Sequence, residues 1–129
     1  DVDVLHCYSR IWYPDVYDGC ILNNVLFEDW RIGLDAGLTE LIQLIGKSGS
    51  PYGTISAVGS ADLVTWRDIA ITGPASTYYI RIRGVGPGPV EGTVSNVTVD
   101  NLTINGTLVT DVSSNVVVGA NTSNITFTS

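Results

Sequence analysis

Residues 96–109 read NVTVDNLTINGTLV, and this segment indicates the fold class most directly. Its polar residues alternate with four apolar ones, as in strands that bury one face: Val97, Val99, Leu102 and Ile104. Asn105-Gly106 then lies between Leu-Thr-Ile and Thr-Leu-Val. Because this dipeptide favours a two-residue type I′ turn, the segment predicts a β-hairpin closing at Asn105-Gly106.

Short strand-like runs separated by turn signals continue along the rest of the chain. The clearest is 77–83, TYYIRIR, which predicts Tyr78, Ile80 and Ile82 on one face of a strand. Residues 38–46 fit either a short helix or a buried strand, and the β-rich flanks favour a strand over 40–45. The glycines and prolines of 84–89 predict a loop or hinge.

Composition excludes several classes of protein. The chain has 129 residues, a net charge of -7, 44% hydrophobic residues and 15% charged residues. This balance is opposite to that of disordered chains. Six Lys and Arg residues provide no basic surface for nucleic acid. No apolar run approaches the roughly 20 residues of a membrane-spanning helix. The length suits one domain, 1–129.

Part of the chain resembles fibronectin type III and related immunoglobulin-like modules. The resemblance covers residues 52–85 and rests on Gly59–Trp66, a Ser/Asp turn followed by a Thr-Trp strand, and on Tyr78–Gly84. It implies a structural or adhesive module on an extracellular surface and assigns no functional residue. The predicted fold is therefore all-β, an immunoglobulin-like or jelly-roll sandwich, with an aromatic N-terminal region (1–31), a sandwich body (38–84) and a β-rich tail (90–129).

The tail also resembles a different architecture. Residues 96–106 are similar to one coil of a right-handed parallel β-helix, the fold of many polysaccharide-degrading enzymes. Such coils should recur with a steady period, and residues 33–93 show none. A β-helix fragment is therefore the alternative prediction.

Cys7 and Cys20 predict one intrachain disulfide that pins the aromatic loop. The cysteine count is even, and the chain starts without Met or signal-peptide features, as a mature secreted chain or a trimmed fragment would. Free buried thiols are the alternative. With a single histidine, His6, and no C-x-x-C spacing, the sequence predicts no zinc site.

Five Asn-x-Ser/Thr sequons lie in the last third of the chain, more than eight Asn and 24 Ser and Thr would give by chance. They predict N-glycosylation of an extracellular surface at five positions: Asn96, Asn101, Asn105, Asn121 and Asn124. The alternative is that Asn and Thr two residues apart share the polar face of a strand.

A search for catalytic chemistry finds no motif. His6 adjoins Cys7 and is interpreted as structural. The carboxylate pairs Asp15/Asp18 and Glu28/Asp29 carry no specific signal, since 13 acids produce such pairs in any fold. Residues 15–19 lack the ligand spacing of a calcium loop. The prediction is a protein that is not an enzyme and has no cofactor or metal.

Four aromatic residues surround the cysteines: Tyr8, Trp12, Tyr13 and Tyr17. They could stack on sugar rings, cover the edge of the core, or contact a neighbouring subunit. Residues 94–129 contain no Lys, Arg or Pro to protect strand edges from pairing.

The function predicted is a structural subunit of an extracellular filament or surface assembly, whose partners are other copies of the chain joined by strand exchange. The alternatives are a carbohydrate-binding module and a fragment of a β-helix enzyme that acts on polysaccharides.

Overall fold

The computed structural model describes residues 2–7, 11, 15–16, 20–37, 40–50, 53–75, 78–85, 92–113 and 116–129. These residues form eleven strands. The strands are β1 (Val2–Cys7), β2 (Asp15–Val16), β3 (Ile21–Leu34), β4 (Glu40–Ser50), β5 (Gly53–Val58), β6 (Ser60–Thr72), β7 (Tyr78–Val85), β8 (Thr93–Ile104), β9 (Thr107–Leu108), β10 (Val116–Val118) and β11 (Thr122–Thr128).

The strands form two sheets, and successive long strands alternate between them. Sheet I has the order β1-β3-β6-β8-β11, with β9 paired to β8. Sheet II has the order β10-β7-β4-β2, with β5 paired to β4. Every pairing along these two orders is parallel, while β9 and β5 pair antiparallel. From β3 onward the chain therefore winds in coils, each placing one strand in each sheet.

Matching residues of successive coils stack in rows. In sheet I one inward row consists of Val25, Val64, Val97 and Ile125, and the next consists of Phe27, Trp66, Val99 and Phe127. In sheet II, Ile42, Ile80 and Val116 form an inward row in the same way. The members from the middle coils are buried, and all three rows contribute to the hydrophobic core between the sheets. Burial of these rows drives the coils to stack.

The all-β class is confirmed, but the parallel strand order is not typical of the predicted immunoglobulin-like or jelly-roll sandwich. Such sandwiches are built from antiparallel strands joined by hairpins and Greek-key connections. Alternation of apolar and polar residues is typical of antiparallel sheets with one solvated face, but the parallel strands of this chain also have one buried and one outward face and so show the same pattern. The sandwich prediction used the alternation and had no evidence for the pairing.

Two local predictions are confirmed. Residues 40–45 form a strand, as part of β4, rather than a helix. Asn105 and Gly106 have φ angles of 50° and 77° and join β8 to β9 in an antiparallel hairpin with Ile104 opposite Thr107. These positive φ angles at both central residues are those of the predicted type I′ turn.

Near Tyr79 and Ile80, both faces of β7 are buried. Ile80 and Ile82 are buried, as expected. Tyr79, on the opposite face of the strand, is also buried, and its hydroxyl donates a hydrogen bond to the carbonyl of Pro74 at 3.3 Å. Sheet II is thus covered on both faces near Tyr79, which a period-two pattern does not predict.

Candidate functional site

Two rows of residues with left-handed backbone bend the strands of sheet I. The first corner row has φ angles of 52–56° and consists of Asn24, Leu63, Asn96 and Asn124. The second corner row has φ angles of 51–59° and consists of Asp29, Asp68 and Asn101. Asn and Asp tolerate this conformation better than other residues that carry a Cβ. Their presence at these positions lets each coil bend at the same place.

Hydrogen bonds between side chains join the corners of adjacent coils. The Asn124 amide donates to Asn96 Oδ1 at 2.9 Å, and the Asn96 amide donates to Asp62 Oδ1 at 2.7 Å. The Ser95 hydroxyl donates to the same Asp62 oxygen at 2.8 Å. The bonds from Ser95 and then Asn96 stabilise the charged carboxylate and hold the pKa of Asp62 below its usual range. In the second corner row the Asn101 amide donates to Asp68 at 2.6 Å.

All five asparagines of the predicted glycosylation sites have positive φ angles, between 50° and 54°. Four of them also donate their side-chain amide to a neighbouring coil or turn: Asn96, Asn101, Asn105 and Asn124. The excess of sequons therefore has a structural explanation. Asn occupies the bend, and a Thr or Ser lies two residues later in the chain. This spacing is also that of a glycosylation sequon. Glycosylation at these sites stays a prediction.

A shallow groove runs across the coils beside the first corner row. Its volume is about 290 Å³, and it is lined by Asn24, Leu63, Thr65, Asn96, Thr98, Asn124 and Thr126. Thr65, Thr98 and Thr126 stack in register on the outer face of sheet I, and Leu26 occupies the same position in the coil before them. The lining is neutral, with amide and hydroxyl groups around one exposed apolar side chain, Leu63. We call it the corner groove.

A charged row lies two residues further along the same strands. Arg67 donates to Asp100 at 3.2 Å and lies 3.5 Å from Glu28, and the Thr128 hydroxyl donates to Asp100 at 2.8 Å. Glu28, one of the carboxylates considered for catalysis, is therefore an ion-pair partner. Its candidate partner Asp29 lies in the second corner row. Since these side chains are partly exposed to solvent, which screens the charges, each pair contributes little to stability.

A similar ion pair ties β1 to β3. The Arg31 guanidinium donates to Asp3 at 2.6 Å, where the two residues are direct neighbours in the parallel ladder. This hydrogen bond from Arg31 is the main cause that lowers the pKa of the Asp3 carboxyl.

The predicted Cys7–Cys20 disulfide is not formed. Cys20 is exposed and carries a free thiol. Cys7 pairs with Leu34 at one end of β3, whereas Cys20 immediately precedes Ile21 at the other end of this 14-residue strand. A disulfide requires Cα atoms within about 7 Å of one another, whereas these two cysteines lie beside opposite ends of β3. An even cysteine count indicated pairing but held no information about the strand between them.

The four aromatic candidates, Tyr8, Trp12, Tyr13 and Tyr17, lie outside the described residues, as does Asp18. Within the described ranges, no group of three or more His, Cys, Asp and Glu side chains is placed to hold a metal ion. No helix in that part of the chain is long and apolar enough to cross a membrane.

Leu63 is the residue of this surface that sequence reasoning missed. Its corner position was detectable in principle, because Asp62-Leu63-Val64-Thr65 corresponds to Ser95-Asn96-Val97-Thr98 and to Ser123-Asn124-Ile125-Thr126.

The comparisons with protein-family models, curated proteins and solved structures gave no match, and so bear neither for nor against the resemblance to fibronectin type III modules.

Proposed function

We propose that this chain is a structural subunit of an extracellular assembly, built as a segment of right-handed parallel β-helix whose copies stack end to end. The parallel order of both sheets and the stacked rows of coils support the β-helix. Right-handed crossovers between parallel strands are strongly favoured by strand twist. The extracellular location rests on the five sequons alone, and their asparagines also serve as corner residues.

The observation that carries the proposal is the match between the two ends of sheet I. At the last coil, Ile125 and Phe127 are only half-buried, and at the first coil Val25 and Phe27 are half-buried too. Their counterparts in the middle coils are 0–1% exposed: Val64, Trp66, Val97 and Val99. Stacking one copy on the next would continue both inward rows without a change of residue type and would bury the half-exposed ends.

The bend of β11 selects the strand that can pair with its outer edge. β11 turns at Asn124, in register with the bends of the coils beneath it. An antiparallel partner would bend in the opposite direction, so the edge fits a parallel strand with a bend at the same row. β3 of another copy, which bends at Asn24, has this shape. Such a head-to-tail contact joins different surfaces of the two copies and generates a filament rather than a closed dimer.

The edge itself is suited to pairing. Among the described strands, β11 pairs with β8 on one side and with none on the other. Residues 94–129 contain no Lys, Arg or Pro, the residues that commonly protect a strand edge. β8, β10 and β11 each pair with strands of the same chain. The proposed assembly therefore uses the outer edge of β11 and needs no exchange of strands between copies.

One element must move for the stacking to be complete. β9 pairs with β8 at Thr103 and Ile104, where β1 of the next copy would lie. β9 has only two residues, both exposed, whereas β1 has six. Displacing this short pairing costs little compared with the burial of two apolar rows.

Replacing Ile125 by lysine tests the proposal. The wild-type chain is expected to form polymers that grow with concentration, and Ile125→Lys is expected to stay monomeric at the same concentrations, because the charge would be buried between copies. Thr126→Lys is the matched control: the change is on the same strand, but its side chain points outward, so polymers should persist. Sedimentation velocity measures the sizes, and thermal melting confirms that both variants are folded. A monomeric wild type, or polymers unaffected by Ile125→Lys, would contradict the proposal.

A further inference from the structure

Leu63 occupies a position that favours a different residue. Its φ angle is 53°, in the left-handed region, where a branched aliphatic side chain is strained. Asn24, Asn96 and Asn124 fill the equivalent corners of the other coils. The Leu63 side chain is also 51% exposed. The residue therefore gains neither the conformational tolerance of asparagine nor the benefit of burial, and strained residues of this kind are concentrated at binding sites.

Unused polar groups lie beside Leu63. Asn24 is its neighbour in the first corner row, and Thr65 follows two residues later on the outer face. Neither side chain has a hydrogen-bonding partner among the described residues, while Asn96 and Asn124 bond to each other. The Asn24 amide and the Thr65 hydroxyl are therefore available to bond to a ligand that contacts the apolar side chain of Leu63.

The corner groove follows the axis along which the coils stack. Thr65, Thr98 and Thr126 repeat along it at the strand spacing, about 4.8 Å. This repeat is close to the length of one hexose in an extended glycan. The lining contains no charged side chain, so the groove presents no counter-charge to an acidic or basic ligand.

We propose that the corner groove binds a neutral, extended glycan. Leu63, with Leu26 nearby, contacts the apolar C–H face of a sugar ring, and the Asn24 amide and the Thr65 hydroxyl bond to the sugar hydroxyls. A small number of placed polar groups around an apolar contact is the usual composition of a site for a small polar ligand. The centre of a protein–protein contact is instead enriched in aromatic residues and arginine, and the lining has neither. The site lies on the outer face and is independent of the proposed stacking.

Leu63→Asn separates binding from folding. Asparagine suits the left-handed corner and can join the row of amides, so we expect the variant to melt at the same temperature as the wild type or higher. Its affinity for a neutral glycan should fall at least tenfold, because the apolar contact is lost. Val112→Asn is the matched control: Val112 is similarly exposed, at 54%, and lies outside the groove. Its binding and stability should be unchanged. Thr65→Val provides a second variant, which should weaken binding by removing a hydroxyl.

Hexamers of β-1,4-linked glucose, mannose and xylose are the neutral probes, with polygalacturonate as the acidic one, and titration calorimetry measures binding. Binding of at least one neutral hexamer that Leu63→Asn weakens and Val112→Asn leaves intact is the expected result. Binding of none, equal binding by Leu63→Asn, or preference for polygalacturonate overturns the inference. So does a result in which Leu63→Asn reduces self-association instead, since the groove would then be a contact between copies.

Discussion

Replacing Trp66 by alanine is expected to lower the free energy of unfolding by about 3–5 kcal/mol, the usual cost of deleting a buried large aromatic side chain. Trp66 is 1% exposed and lies in the middle of an inward row, between Phe27 and Val99. The coils above and below it are held apart by the strand ladder, so they cannot collapse into the space left by the indole. Urea denaturation followed by circular dichroism measures the loss.

Phe127→Ala is the matched control for this prediction. Phe127 belongs to the same row, but it lies in the last coil and is only half-buried. Because one side of its ring has no coil over it in the single chain, its truncation should cost clearly less than that of Trp66. Equal losses for the two variants would show that the row is not the continuous core described here.

Replacing Gly84 by alanine is expected to cost about 1–3 kcal/mol or more, because the added methyl group has no space. A Cβ at this position would overlap the carbonyl oxygen of Gly92, and it would lie 2.7 Å from the Cβ of Asn121. Gly84 also donates its backbone N–H to the carbonyl of Ala120 at 2.8 Å, which fixes β7 against the turn before β11. The neighbouring atoms are mostly backbone, so they cannot move aside without breaking this contact. Thermal and urea denaturation measure the effect.

Gly106→Ala is the control, since it separates steric overlap from conformational strain. Gly106 has a φ angle of 77°, and a Cβ there would meet nothing within 4 Å. We expect the cost of a left-handed residue alone, about 1 kcal/mol. If Gly84→Ala lowers the free energy of unfolding no more than Gly106→Ala does, then residues 84, 92 and 120 do not lie as close together as described.

Local features of this fold could be predicted from sequence because they depend on residues close together in the chain. The Asn105-Gly106 hairpin is such a feature, since turn chemistry specifies it directly. The strand at 40–45 was predicted from its β-rich flanks, because its own apolar pattern fits a helix as well as a buried strand. The pairing direction could not be predicted in this way. It depends on contacts between coils, and the intervals between Asn24, Leu63, Asn96 and Asn124 are 39, 33 and 28 residues. Unequal connections between the strands conceal the repeat, although the bends and rows coincide in space.

The candidate site was harder to predict than the fold. The asparagines were visible in the sequence, but they were interpreted as sequons because their spacing to Thr is the same as in a glycosylation site. Their role as corner residues depends on a backbone angle, which the sequence does not state. Leu63 carries no motif at all. It becomes conspicuous only when it is placed beside Asn24 and Asn96, in the same bend of neighbouring coils.

The most direct test of end-to-end stacking is the axial rise of the polymer, measured by electron microscopy of the purified chain with helical reconstruction. Each chain contributes four strands to the row that contains Val25, Val64, Val97 and Ile125. At the parallel strand spacing of 4.7–4.9 Å, continuous stacking predicts a filament with a rise of about 19 Å per chain and density connecting β11 of one copy to β3 of the next. Particles that remain single at high concentration, or filaments joined through any other surface, would contradict the account.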